Sequence, residues 1–257
     1  MTSRGDSRLT SLLLNFYTTP RLGQERLSDG GGPFGFDITT AFQIDYLIEL
    51  YECDGIVETG AHMGDTTAYL ARQYSHLPIL SCDIVDYYVR FTQQRLANLG
   101  NATVLQGDSA FVLPDLLQGL KRPLVYLDAH WQDQWPLRDE LAAVKSGVVA
   151  VDDFDIGHSR FGFDHYDGEE CGPRLLAKAL PDADEVFVGN PYASYPAPCL
   201  QTGRRSGTGY LARTLDTGPL ARSNLFVRVP LRPAITMPSW GSAGLRLSRP
   251  PVEVSSR

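Results

Sequence analysis

The sequence predicts an α/β fold: a doubly wound, mostly parallel, seven-stranded sheet preceded by an N-terminal helical arm. Three observations predict it. Short runs rich in β-branched residues alternate with stretches of helical periodicity, which is the pattern of right-handed βαβ units. The length of 257 residues suits one α/β domain with a core of its own. The composition, 43% hydrophobic and 21% charged, is that of an ordinary globular chain.

Taken in order, residues 1–35 are polar and then Gly-rich at Gly30–Gly32, which predicts a loose arm with one short helix at Leu9–Tyr17. The arm is a candidate lid or homo-oligomer interface. Phe42, Ile44, Leu47, Ile48 and Tyr51 recur at helical spacing between Ile38 and Cys53. Strands are expected at Gly55–Glu58, Ile79–Ile84, Ala102–Gln106, Leu124–Leu127, Val148–Val151, Glu185–Val188 and Gly209–Thr214. Helices are expected between them at Asp65–Tyr74, Tyr87–Leu99, Ala110–Leu120, Leu137–Lys145 and Pro173–Leu180. Gly100 stands where a helix C-cap glycine belongs. The domain so defined spans 36–216. Residues 217–257 show no sustained period and carry Pro219, Pro230, Pro233, Pro238, Pro250 and Pro251, so they read as a poorly ordered tail.

Charge is unevenly spread. Residues 201–257 hold nine Arg and two acids, a net of +7, which leaves −14 on residues 1–200 of a chain whose total is −7. An acidic body repels phosphates, which argues against a nucleic-acid partner. The basic tail reads as a solvated extension. No apolar run reaches the length of a secretory core or a membrane span. Cys53, Cys82, Cys171 and Cys199 lie far apart without CxxC spacing, as expected of reduced thiols in a cytoplasmic protein.

The first expected strand ends in Glu58-Thr59-Gly60-Ala-His-Met-Gly64-Asp65-Thr66, a strand running through a glycine turn into a helix. Ligands of parallel sheets bind beyond such ends. Gly60 would let a ligand approach the backbone, Gly64 would let helix and strand pack closely, and Asp65 or Thr66 can cap the helix. A dinucleotide fingerprint needs G-x-G-x-x-G here; this loop has two glycines, and an acid two residues before the first. That acid suits an ammonium. The second strand ends at Asp83, 23 residues after Gly60, a place for accepting ribose hydroxyls. The third ends at Gly107-Asp108-Ser109, a place for reading an adenine edge, with helix capping the alternative for Asp108. An ammonium, a ribose and an adenine without phosphate describe S-adenosylmethionine.

This ordered set resembles the class I SAM-dependent methyltransferases over roughly residues 38–214. The resemblance implies a Rossmann-like domain, an S-adenosyl-L-methionine cofactor, and a donor site of Glu58, Thr59, Gly60, Gly64, Asp65, Thr66, Asp83, Gly107, Asp108 and Ser109.

The fourth and fifth strands end in Leu127-Asp128-Ala-His130-Trp131 and Val151-Asp152-Asp153-Phe154. Neighbouring strand ends bring three carboxylates together, a cost that a hard divalent cation relieves. The pair is similar to that of metal-dependent sugar O-methyltransferases of the macrocin O-methyltransferase type. The resemblance implies Asp128, Asp152 and Asp153 as Mg²⁺ ligands, and a base near the second residue after Asp128, here His130. The stretch Phe161–Gly168 is expected to contact a small-molecule acceptor, a sugar moiety of a natural product in that family. The other readings are a metal-free N- or carboxyl-methyltransferase, a non-catalytic SAM-binding protein, and a nicotinamide oxidoreductase, which the missing third glycine disfavours.

Overall fold

A computed structural model describes residues 4–22, 24–129, 135–232 and 235–240. The chain runs α1 (Arg4–Thr18), a 3-10 turn (Pro33–Phe36), α2 (Ile38–Leu50), β1 (Gly55–Thr59), α3 (Asp65–Gln73), β2 (Ile79–Asp83), α4 (Asp86–Leu96), β3 (Ala102–Gln106), α5 (Ser109–Leu116), β4 (Pro123–Leu127), α6 (Leu137–Ala143) and β5 (Gly147–Val151). It continues through β6 (Phe161–Gly162), β7 (His165–Tyr166), β8 (Glu169–Glu170), α7 (Pro173–Ala179), β9 (Glu185–Gly189), β10 (Arg205–Ser206), β11 (Gly209–Arg213), α8 (Gly218–Arg222) and β12 (Phe226–Pro230).

The main sheet has the order β12-β9-β11-β5-β4-β1-β2-β3. Strands β1 to β5 are mutually parallel, and β11 runs antiparallel to both β5 and β9. The order reverses between β1 and β4, and a crevice opens at the carboxyl ends of strands at such a switch point. Strands β1, β4 and β5 are buried along their whole length because helices cover both faces, and β4 and β5 read as apolar runs, while β1 ends in the buried polar Glu58 and Thr59. Two large clusters form the core, one on each side. Phe16, Ile44, Tyr69, Leu124 and Tyr210 belong to one, and Val57, Leu141, Val149, Leu176 and Val188 to the other.

Three expectations need correction. Residues 217–230 are not a loose tail. They form α8 and β12, an edge strand antiparallel to β9 that makes the sheet eight-stranded rather than seven-stranded. Leu220, Phe226, Val229 and Leu231 are buried there, and apolar burial of this kind outweighs the breaking tendency of flanking prolines. Pro230 is tolerated because it ends an edge strand. The rest of the expected tail, from 241, lies outside the described residues. The arm is not loose either. Leu12 and Phe16 of α1 are buried against the core, and Arg8 reaches Asp45 and Glu49 on α2. Gly100 caps no helix: α4 ends at Leu96 with Ala97 as its cap, and Gly100 belongs to the following turn.

Candidate functional site

The glycine turn after β1 sits at the switch point. Gly60 has φ +81°, and a Cβ there would lie 2.3 Å from the carbonyl oxygen of Asp128. Gly60 therefore lets the ends of β1 and β4 close on one another, a tighter constraint than ligand approach alone. Gly64, at φ +73°, is the N-cap of α3, and a Cβ there would meet Thr92 of α4 at 2.5 Å. With Gly64 as cap, neither Asp65 nor Thr66 caps the helix. Both hold the arm instead. Asp65 accepts from the amide of Gly32 at 2.7 Å and pairs with Arg95. Thr66 accepts from the amide of Phe34 at 3.1 Å. Arg95 also donates to the carbonyls of Met63 and Pro20. The segment 20–34 is thus pinned at both ends over the turn.

Beneath it lies a cavity of about 380 Å³, within the range of small-molecule sites. Its walls are Leu22, Gln24 and Gly30–Gly32 of the arm, Glu58, Gly60–Met63, Asp65 and Thr66 of the first strand end, and Asp128, Asp152, Asp153, Arg204 and Ser206. Glu58 is 1% exposed and accepts from the hydroxyls of Thr67 and, at 2.8 Å, Ser81. Burial nevertheless pushes its carboxyl up to about 7.

Asp83 ends β2. Its carboxylate accepts from the amides of His62 at 2.7 Å and Val85 at 2.8 Å, which ties the glycine turn to β2. Asp108 is the N-cap of α5, accepting from the amide of Ala110 at 3.0 Å, and Gly107 stands at φ +155° before it. Thr59 and Ser109 are buried, do not line this cavity, and stand near Glu140 of α6.

On the other side of the switch point, Asp128, Asp152 and Asp153 bring carboxylate oxygens within 4.8 Å of one another. The backbone builds this convergence. The amide of Asp128 donates to the carbonyl of Thr59, and the amide of Asp152 to that of Leu127, so each acid continues its ladder by one step. Asp153 then turns into the left-handed region at φ +44°, a conformation aspartate tolerates better than most residues. Ser206 donates to its carboxylate, and Arg204 lies 4.0 Å from it. The carboxyl of Asp128 is pushed well above the usual carboxylate range, chiefly by burial and then by Asp152 and Asp153. His130 lies outside the described residues, as does Trp131.

Sequence reasoning missed Glu140, Arg204 and Ser206, and assigned Asp164 to an acceptor loop. The structure places Asp164 beside the acids, lining a second, small cavity with Asp128, Asp152, Asp153 and Glu140. Glu140 carried a readable signal, because it interrupts the apolar stripe Leu137, Leu141, Val144 at the i+3 position. Arg204 and Ser206 carried none: their place depends on the buried pair of the next residue, Arg205, with Asp37 at the N-cap of α2.

No protein-family model matches the chain, and no curated protein sequence matches it. Among solved structures, the chain is similar to a putative O-methyltransferase from Klebsiella pneumoniae at 15% identity, over 82% of this chain and 91% of that one, with a TM-score of 0.45. It is similar to a cofactor-bound protein from MTB at 17% identity, over 81% and 90%, with a TM-score of 0.46. An rRNA methylase from Streptococcus thermophilus matches at 14% identity, over 69% and 97%, with a TM-score of 0.43. Likeness at this level assigns neither activity nor substrate. The fold class rests on the chain's own features: a Rossmann-like sheet with five parallel strands, and an antiparallel β11 inserted between β5 and β9. Among the described residues, no helix is long and apolar enough to cross a membrane.

Proposed function

We propose that the protein is a SAM-dependent methyltransferase that methylates a hydroxyl group of a small molecule with the aid of a divalent cation, Mg²⁺. The observation that carries this reading is that three acids, Asp128, Asp152 and Asp153, converge in the wall of the same cavity that the glycine turn lines. Their oxygens and the absence of a thiol or imidazole from that trio fit a hard cation rather than zinc. The raised carboxyl of Asp128 supports the fit, since three acids this close resist ionising together without a positive partner.

Glu58 at the cavity wall suits the ammonium of the donor, and Asp83 its ribose hydroxyls. The cavity would hold donor and acceptor in line, so that the acceptor oxygen bonds to the methyl carbon as the carbon–sulfur bond breaks. Asp128, Asp152 and Asp153 would hold the cation, whose charge would lower the pKa of an acceptor hydroxyl and orient it. His130 takes the hydroxyl proton, and the products are a methyl ether and S-adenosylhomocysteine. The acidic body favours a small acceptor over nucleic acid. A sugar-bearing natural product follows from the family resemblance, a cytoplasmic location from the four free cysteines, and a homo-oligomer from the N-terminal arm as a candidate interface.

Calorimetry and a chelation assay test this. S-adenosylhomocysteine should bind with a Kd in the low micromolar range, about −8 kcal/mol. With an acceptor found by screening glycosylated and hydroxylated compounds, EDTA or Asp152→Asn should abolish turnover and leave that binding nearly intact. Full turnover in EDTA would favour a metal-free N- or carboxyl-methyltransferase. Binding without turnover on any acceptor would favour a non-catalytic SAM-binding protein.

A further inference from the structure

Glu140 has no part in the reading above, yet its setting is unusual. It lies on α6 among the buried Leu137, Leu141 and Val144, and is itself 1% exposed. A carboxyl group on such a face is costly unless its oxygens find partners. The hydroxyls of Thr59 and Ser109 stand near enough to favour its charged form, but Oε1 has no hydrogen-bond partner. Glu140 lines the small cavity of about 20 Å³ together with Asp128, Asp152 and Asp153. That volume accommodates one water molecule, provided polar partners are at hand. Glu140 is not among the carboxylates whose oxygens cluster within 4.8 Å, so it stands outside the donor set itself.

We infer that Glu140 is a positioning residue for the cation: its buried Oε1 accepts a hydrogen bond from a water in the small cavity, and that water is bound by the cation at Asp128, Asp152 and Asp153. The inference rests on the cation reading proposed above. Small divalent cations keep part of their water shell, and groups that hold those waters set affinity alongside the direct ligands. The hydroxyl of Thr59, which favours the charged form of Glu140, also accepts from the amide of Asp128 at 3.3 Å. Glu140 therefore neighbours both the small cavity and the strand end that presents Asp128.

Mn²⁺ is the probe, titrated by electron paramagnetic resonance, with calorimetry of S-adenosylhomocysteine as the control. In Glu140→Gln the amide oxygen can face the hydroxyls of Thr59 and Ser109, which leaves at the cavity an NH₂ group that cannot accept a hydrogen bond from water. Mn²⁺ affinity should fall roughly 10–100-fold, the usual effect of losing an outer-shell partner, with S-adenosylhomocysteine affinity unchanged. Equal Mn²⁺ affinity in variant and wild type overturns the inference and leaves the cation reading standing. No Mn²⁺ binding by the wild type overturns the cation reading itself. Equal losses of both affinities also overturn the inference, because they mark Glu140 as a packing group. Should the variant not fold, a wild-type crystal soaked in Mn²⁺ decides: an anomalous peak at the three acids with a water on Glu140 Oε1 supports the inference, and a peak without that water overturns it.

Discussion

The two halves of the switch point treat their acids in opposite ways. On the β1–β2 side each carboxylate meets donors. Glu58 has Thr67 and Ser81, Asp83 has two backbone amides, and Asp65 has Gly32 and Arg95. On the β4–β5 side, although Ser206 donates to Asp153, the carboxylates stand among one another, with Asp128, Asp152 and Asp153 clustered and Asp164 beside them. Donors that satisfy an acid shape a wall before any ligand arrives. Acids that face one another hold a high cost in reserve, which a cation can relieve. On the reading proposed above, the first half binds the donor as it stands, and a cation completes the second. Arg204 is the nearest cation to this second group among the described residues that line the cavity, and at 4.0 Å from Asp153 it offsets only part of the charge.

The sharpest way to break this contrast is a change at the proposed base. His130→Ala should lower kcat by roughly 10²–10⁴-fold, the worth of a positioned acid–base group, with donor affinity unchanged. The loss should shrink as pH rises, because hydroxide then takes the proton. Steady-state rates at saturating donor, measured from pH 6 to 9, check both parts. A kcat that falls while its pH dependence stays that of the wild type moves the base to another group.

The halves also differed in how far they could be read from the sequence. Strand–helix alternation located all seven expected strands of the main sheet because each is a short β-branched run at a regular pitch. The convergence of Asp128, Asp152 and Asp153 was legible because they stand directly after two such runs, those ending at Leu127 and Val151. The donor side was less legible. Asp65 and Thr66 look like cofactor-loop residues locally, but they bond an arm about 32 positions away, and no local pattern encodes that distance. Strand β12 was hidden for a different reason. The run Leu225-Phe-Val-Arg-Val229 is a strand signal by composition, but the prolines around it pointed to an irregular segment. What decided the matter was the open edge of β9, a tertiary fact.

A second test exploits titration. Burial pushes Glu140 up to about 7, against an ordinary value near 4.5. Between those two values the unfolded chain releases a proton that the folded chain keeps, so this group's contribution to stability is full below about pH 4.5 and is lost as pH rises toward 7. The slope is at most about 1.4 kcal/mol per pH unit for one such group. Glutamine does not titrate. In EDTA, the difference in unfolding free energy between Glu140→Gln and wild type should therefore shift in the variant's favour from pH 4.5 to 7 and then level off. Urea melts at four pH values would show it. A difference that is flat with pH would mean that Glu140 ionises in the folded state much as it does in the unfolded chain.

The smallest expected effect belongs to the donor half and asks whether a satisfied carboxylate still binds. Asp83 already accepts two backbone amides, yet a carboxylate has further lone pairs for two ribose hydroxyls. Asp83→Ala should weaken donor binding by about 1–3 kcal/mol, roughly 5–150-fold, through loss of charge-assisted hydrogen bonds and of the turn they order. Because Asp83 stands on β2, two strands from β4, Mn²⁺ affinity should stay within about twofold, the additivity expected of separate sites. Calorimetry with S-adenosylhomocysteine and a Mn²⁺ titration on the same sample make the comparison. If donor affinity holds, Asp83 serves the turn alone, and the ribose is read elsewhere. If Mn²⁺ affinity falls as well, the two halves are coupled through the glycine turn, where Gly60 presses on the carbonyl of Asp128. The contrast between a wall built in advance and a cluster completed by a cation would then have to be redrawn as a single unit.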